Sequence, residues 1–206
     1  MSDSTATGTS ASAANFSWRI IDIVTAAVLG IAVGFIFVVW NVIGGAGYDA
    51  VNALTPGLGG LVAGVWFLGG PLGAYIIRKP GAAVFVEVLA ASVSALIGNQ
   101  WGISTLYSGL AQGFGAELIF LLLAYRRFNA ATVIISGLLA GVGAWTFELF
   151  TGNLAKTAQF NVIYLISNAL SGAILAGVLA VFLTKALAAT GALDRFAAGR
   201  ERHGEI

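Results

Sequence analysis

Six continuous apolar stretches dominate the sequence, at about Ile20–Ile43, Gly57–Ile77, Ala82–Ile97, Leu110–Phe128, Ala131–Phe150 and Asn161–Ala188. Each is near the ~20 residues that an α-helix needs to cross ~30 Å of hydrocarbon, the third being short and the sixth long. In that solvent a backbone N–H or C=O without an internal partner is too costly to leave, so only helices and closed barrels are open to the chain. The runs lack the period-two alternation of a barrel strand, which leaves helices. The expected fold is an all-α integral membrane protein with about six transmembrane helices in one bundle. Composition agrees: 58% of residues are hydrophobic and 9% are charged, against roughly 25% charged in a soluble domain.

Around this bundle the chain divides simply. Residues 1–17, rich in Ser, Thr and Ala, read as a disordered cytoplasmic tail, 18–190 as the membrane domain and 191–206 as a polar cytoplasmic C-terminal tail. The start has no basic residue and so does not resemble a secretory signal peptide. Lys and Arg favour the cytoplasmic ends of spans. With the N-terminus inside, Arg19, Arg78, Lys79, Arg126, Arg127, Lys185, Arg195, Arg200 and Arg202 fall inside and Lys156 falls outside, so both termini are expected in the cytoplasm. The outward connections, about residues 44–56, 98–109 and 151–160, then carry Tyr48, Asp49, Asn52, Asn99, Gln100, Trp101, Tyr107 and Asn153, which suits recognition.

Several functions are excluded by what the residues can do. There is no cysteine, and the one histidine, His203, lies in the C-terminal tail, so disulfides, thiolate chemistry and a metal site are not expected. A net charge of +1 argues against nucleic acid as a partner. No GxxxxGK[ST] sequence is present, so ATP, where it is used, must be hydrolysed by a partner. No internal repeat supports an inverted-repeat carrier. No acid, base and nucleophile come together as an enzyme would require.

Charge inside the spans is the most informative remaining signal. Glu87, Glu117 and Glu148 lie within apolar runs, and no Lys or Arg occupies the central part of a run to neutralise them. Intramembrane carboxylates are costly and mark function by default. Either a cationic ligand or protons balance them, or each is protonated and bonded to a neighbouring helix. By depth, Trp40, Trp101, Gln112, Trp145, Glu148, Asn161, Tyr164 and Asn168 share the outer half, with Asn161, Tyr164 and Asn168 on one helical face. Tryptophans at span ends often serve as interfacial anchors, but Trp66 lies mid-span, where anchoring does not apply. Carboxylates beside aromatic faces suit a flat organic cation. Ala26, Gly30 and Gly34 form a small-residue stripe on the first run, fit either for packing inside the bundle or for docking a separate membrane subunit.

Trp18-Arg19-Ile20-Ile21-Asp22-Ile23-Val24 opening the first helix, Trp40 near its end and Asn99-Gln100-Trp101-Gly102 in an outer connection resemble the YkoE family, over nearly the whole chain from Trp18 to about Ala188. Its members are substrate-binding S components of energy-coupling factor (ECF) transporters. The resemblance implies a protein of the bacterial or archaeal cytoplasmic membrane that captures thiamine or its hydroxymethylpyrimidine precursor from outside. It also implies a transmembrane T component and two ATPase subunits as partners, with ATP used by those subunits and no cofactor in this chain. The family meets its T component through small residues of the first helix, which the Ala26, Gly30, Gly34 stripe matches. The candidate ligand contacts are Trp40, Trp66, Glu87, Asn99, Gln100, Trp101, Glu117, Trp145, Glu148, Asn161, Tyr164 and Asn168. The alternative is an autonomous proton-coupled carrier of a small organic cation that uses the intramembrane glutamates.

Overall fold

The structure, a computed structural model, describes residues 16–204. The N-terminal tail up to residue 15 lies outside the described residues. Within them the chain forms α1 (Ile20–Leu54), α2 (Gly60–Ile77), α3 (Ala82–Ile97), α4 (Ser104–Leu122), α5 (Ala130–Thr151), α6 (Ala158–Ala189) and a short C-terminal helix α7 (Ala197–His203). Five of these are long and apolar enough to span a bilayer, and α3, at 16 residues, is the short sixth. The chain is thus a multi-pass membrane protein with a helical bundle.

Helix starts follow local chemistry. Asp22 accepts the Arg19 backbone N–H at 2.9 Å and pairs with the Arg19 guanidinium at 2.7 Å, which caps α1 and suits the positive end of its dipole. The Asn129 side chain accepts the Thr132 N–H at 3.0 Å to start α5, and Thr157 accepts that of Phe160 at 3.2 Å to start α6. Between α2 and α3, Arg78 and Gly81 both adopt left-handed backbone, so a short turn returns the chain antiparallel.

Three features depart from the sequence expectation. First, α1 runs on to Leu54, so Tyr48, Asp49 and Asn52 stand on a helix and not in a loop. Glycines at 44, 45 and 47 weaken this stretch, but Gly44 is needed there. The Trp40 indole folds across the place a Cβ would occupy and donates to the Val62 carbonyl at 3.1 Å. Second, α2 changes hydrogen-bond pattern midway: an α-helical turn at Gly60–Ala63, a 3-10 segment at Gly64–Phe67, then α-helix from Gly69. α6 likewise contains a π segment at Gly172–Val178. Third, the polar C-terminal segment folds back on the bundle. Leu193 and Phe196 are buried, the Arg19 guanidinium lies 5.8 Å from the Phe196 ring centroid, and Arg78 pairs with Glu201. That guanidinium holds the Glu201 carboxyl below its ordinary range.

The small-residue stripe is used inside the bundle. Ala26, Gly30 and Gly34 are all buried. A Cβ on Gly30 would come within 2.9 Å of Leu89 Cβ, and one on Gly34 within 2.6 Å of Val93 Cβ, both on α3. The docking reading of these three residues is therefore corrected: α3 already occupies the groove they make. What α1 offers outward is its opposite side, where Val28, Phe35 and Val39 are exposed. Gly30→Leu is accordingly expected to lower thermal stability in detergent by the ~1–3 kcal/mol typical of overpacking. An unchanged melting temperature would show that the α1–α3 contact has room to spare.

Candidate functional site

A cavity of about 390 Å³ opens at the end of the bundle opposite the N-terminus of α1, where the last turns of α1, the α3–α4 connection and the α5–α6 connection meet. That volume lies in the range of small-molecule sites. Its wall combines rings with carboxylates. Trp66 and Trp101 meet edge to face, with centroids 5.5 Å apart at 82°. Tyr48 and Tyr164 meet likewise at 6.3 Å and 88°. Phe37, Phe67 and Phe147 complete the apolar surface. Among the described residues, Asp49 and Glu148 are the charged members of the lining, which contains no Lys, Arg or His.

The change of pitch in α2 explains how Trp66 reaches this space. The 3-10 segment carries its indole to the cavity, where Nε1 donates to Asn41 Oδ1 at 2.8 Å. Asn41 in turn donates to Ser94 Oγ at 2.9 Å, which ties α1, α2 and α3 together along one wall. On the other side Tyr164 OH donates to Glu148 at 2.6 Å, joining α6 to α5.

Of the candidate ligand contacts, Trp66, Gln100, Trp101, Glu148 and Tyr164 line the cavity, joined by Gln112 of the outer half and by Tyr48, Asp49 and Asn153 of the outward connections. The others do not, for identifiable reasons. Trp40 spends its indole N–H on Val62, and Trp145 donates to the Asn161 carbonyl at 3.0 Å. Asn99 folds the α3–α4 connection, its Oδ1 accepting the N–H groups of Trp101 and Gly102, each at 2.9 Å. The Asn161 amide donates to the Asn153 carbonyl at 2.8 Å, and that of Asn168 to the Tyr164 carbonyl at 3.0 Å.

The two deeper glutamates are helix caps. Glu87, fully buried, accepts the Gly70 N–H at 2.7 Å and so closes the start of the inner α-helical part of α2. Glu117 accepts the N–H groups of Gly81 at 2.7 Å and Ala83 at 2.8 Å, together with Tyr125 OH at 2.8 Å. It thereby caps α3 at the end of the bundle away from the cavity. Neither role is visible in sequence, since each joins residues more than 15 positions apart.

Asn41, Ser94, Thr105 and Ser108 also line the cavity. They escape notice in the sequence because small polar residues in spans carry no charge signal. Among the described residues, no group of three or more His, Cys, Asp or Glu is placed to hold a metal ion.

A membrane bundle of this fold with a solute-sized pocket at one end belongs to a known structural class. A crystal structure of an S-component of an ECF transporter superposes with a TM-score of 0.84 at 30% identity, covering 92% of this chain and 95% of the other. A Bacillus subtilis (strain 168) protein named as an HMP/thiamine permease protein, YkoE, is 33% identical over 188 residues, 90% of this chain and 92% of its own length. Residues 21–143 match the family described as "ABC-type cobalt transport system, permease component". The chain belongs to the YkoE-like S components of ECF transporters, which are substrate-binding transport components and not enzymes.

Proposed function

We propose that this chain captures thiamine or its hydroxymethylpyrimidine precursor from outside the cell and presents it to a transmembrane T component driven by two ATPase subunits. The observation that carries the ligand assignment is the lining: paired aromatic edges and two carboxylates, with no basic side chain among them. A thiazolium keeps its positive charge at every pH, and both rings of thiamine present flat faces to Trp66, Trp101 and the two tyrosines. The name of the Bacillus relative points to the same pair of ligands. The basic residues Arg19, Arg78, Arg126 and Arg127 cluster at the opposite end of the bundle, which supports a cytoplasmic position for that end and an outward-facing cavity.

Two of the three glutamates on which the proton-coupled alternative relies are engaged elsewhere. Glu87 and Glu117 accept from backbone N–H groups as helix caps, so neither is free to pass a proton between the two sides.

Isothermal titration of the detergent-purified protein is expected to give saturable, one-to-one binding of thiamine. Uptake by proteoliposomes should require the T component and ATPases together with ATP. Absence of binding by both thiamine and hydroxymethylpyrimidine, or uptake by this chain alone under a proton gradient, would overturn the reading.

A further inference from the structure

The cavity wall supplied by α4 has a hydrogen-bond polarity that its surroundings determine. Thr105, Ser108 and Gln112 stand at i, i+3 and i+7, on one face of that helix, and all three line the cavity. The end of the Gln112 side chain nearest the bundle interior lies 3.1 Å from the Trp66 carbonyl oxygen and 3.1 Å from Glu87 Oε1. A backbone carbonyl only accepts, so this end is the amide nitrogen, and it donates to both. The amide oxygen then faces Ser108 Oγ at 2.7 Å. Oxygen accepts, so Ser108 must spend its one hydroxyl proton on Gln112.

One turn nearer the mouth the same logic holds. Asn99 Oδ1 accepts two backbone N–H groups and is thereby identified as oxygen. Thr105 Oγ1, 3.1 Å away, therefore donates its proton to Asn99. The Thr105 and Ser108 hydroxyls are left with lone pairs alone for the cavity, beside the second lone pair of the Gln112 oxygen. From Thr105 to Gln112 this face accepts hydrogen bonds and gives none, while Ser104, exposed one residue earlier, lies outside the strip.

We propose that this α4 strip is the selectivity element of the site: it accepts the exocyclic amino group of an aminopyrimidine and rejects a ring that presents a carbonyl at the same position. Glu87, Asn99 and the Trp66 carbonyl act as positioning groups, fixing the direction of each donor without touching the ligand. The inference rests on the thiamine reading above and adds which ring substituent is recognised and by what.

The probes are thiamine and its 4-oxo counterpart, in which a carbonyl replaces the amino group while the thiazolium is unchanged. The parent protein is expected to prefer thiamine by about tenfold or more, the cost of facing one acceptor with another. In Ser108→Ala, a half-buried position where the smaller side chain fits, the preference should fall to within about threefold, mainly through weaker thiamine binding. Gln112→Met keeps the volume but frees the Ser108 hydroxyl to turn, so it should lose preference chiefly by binding the 4-oxo ring more tightly. Melting curves of the ligand-free variants confirm folding. A parent that binds both probes equally, or variants that keep the parental ratio, would overturn the strip. A parent that binds neither probe would overturn the thiamine reading itself and the strip with it.

Discussion

Gly141→Leu is expected to prevent the bundle from assembling as a monodisperse protein in detergent, with ligand binding lost together with stability. A Cβ on Gly141 of α5 would collide with the Asn168 carbonyl oxygen of α6 and come within 2.7 Å of its carbon. Four residues earlier, about one helical turn, Gly137 meets Gly172 and Gly177 of α6 in the same way, the Gly177 nitrogen at 2.6 Å. These obstacles are backbone, so no side-chain rotation relieves them and the two helices must part. Close approach through glycine is how membrane helices gain packing where lipid removes the hydrophobic drive. Parting them forfeits that packing along the length of the contact, a loss of more than the ~1–3 kcal/mol of ordinary overpacking. The site suffers as well, because the Glu148–Tyr164 hydrogen bond spans the same pair of helices. Gly47→Ala provides the contrast: its new Cβ would lie 3.5 Å from Val62, an ordinary contact, and should melt like the parent. Size-exclusion profiles and thermal melts of the two variants measure this, and a Gly141→Leu protein with parental melting would refute the backbone-contact account.

The parts of this fold that were legible from sequence are those set by solvent, and the parts that were not are set by contacts between distant residues. Apolar runs locate the spans because the bilayer acts on each run separately; Ala82–Ile97, expected and found with the same limits, shows it. The end of α1 was misplaced because the glycines at 44, 45 and 47 look like a loop until the Trp40 indole is seen lying against Gly44. The irregular segments of α2 and α6 leave no local mark, since Gly and Ala accommodate α, 3-10 and π patterns alike. In the site, charge and aromaticity single out Glu148, Trp66, Trp101 and Tyr164, which stand on the cavity lining. The same signal misled at Glu87 and Glu117. An intramembrane carboxylate that caps a neighbouring helix looks identical in sequence to one that faces a ligand. Ala26, Gly30 and Gly34 illustrate the same ambiguity for small residues, which serve α3 here and would serve a partner helix equally well.

Charge at the cavity should decide the affinity for thiamine, and Glu148→Gln isolates it. The carboxylate is half-buried between α5 and α6 and accepts from Tyr164 OH at 2.6 Å. Glutamine keeps that shape, and its amide oxygen still accepts from the tyrosine, so the wall stays in place while the charge disappears. Thiamine should then bind about 10- to 100-fold more weakly, the size of a lost charge-assisted contact in a partly desolvated site. Neutral hydroxymethylpyrimidine has no thiazolium to lose contact with, and its affinity should change by less than about threefold. Asp49→Asn removes the other lining carboxylate, but Asp49 is exposed. Water and salt screen its charge, and its effect on thiamine should be the smaller of the two. Melting of the ligand-free Glu148→Gln protein should match or exceed that of the parent, because a carboxylate charge within the bundle is itself costly. Titration of both variants with both ligands gives the comparison. Equal weakening of thiamine and hydroxymethylpyrimidine by Glu148→Gln would mean that the residue acts by holding Tyr164 and not by charge. Unchanged thiamine affinity would remove Glu148 from the binding surface and leave Asp49 as the carboxylate that faces the cation.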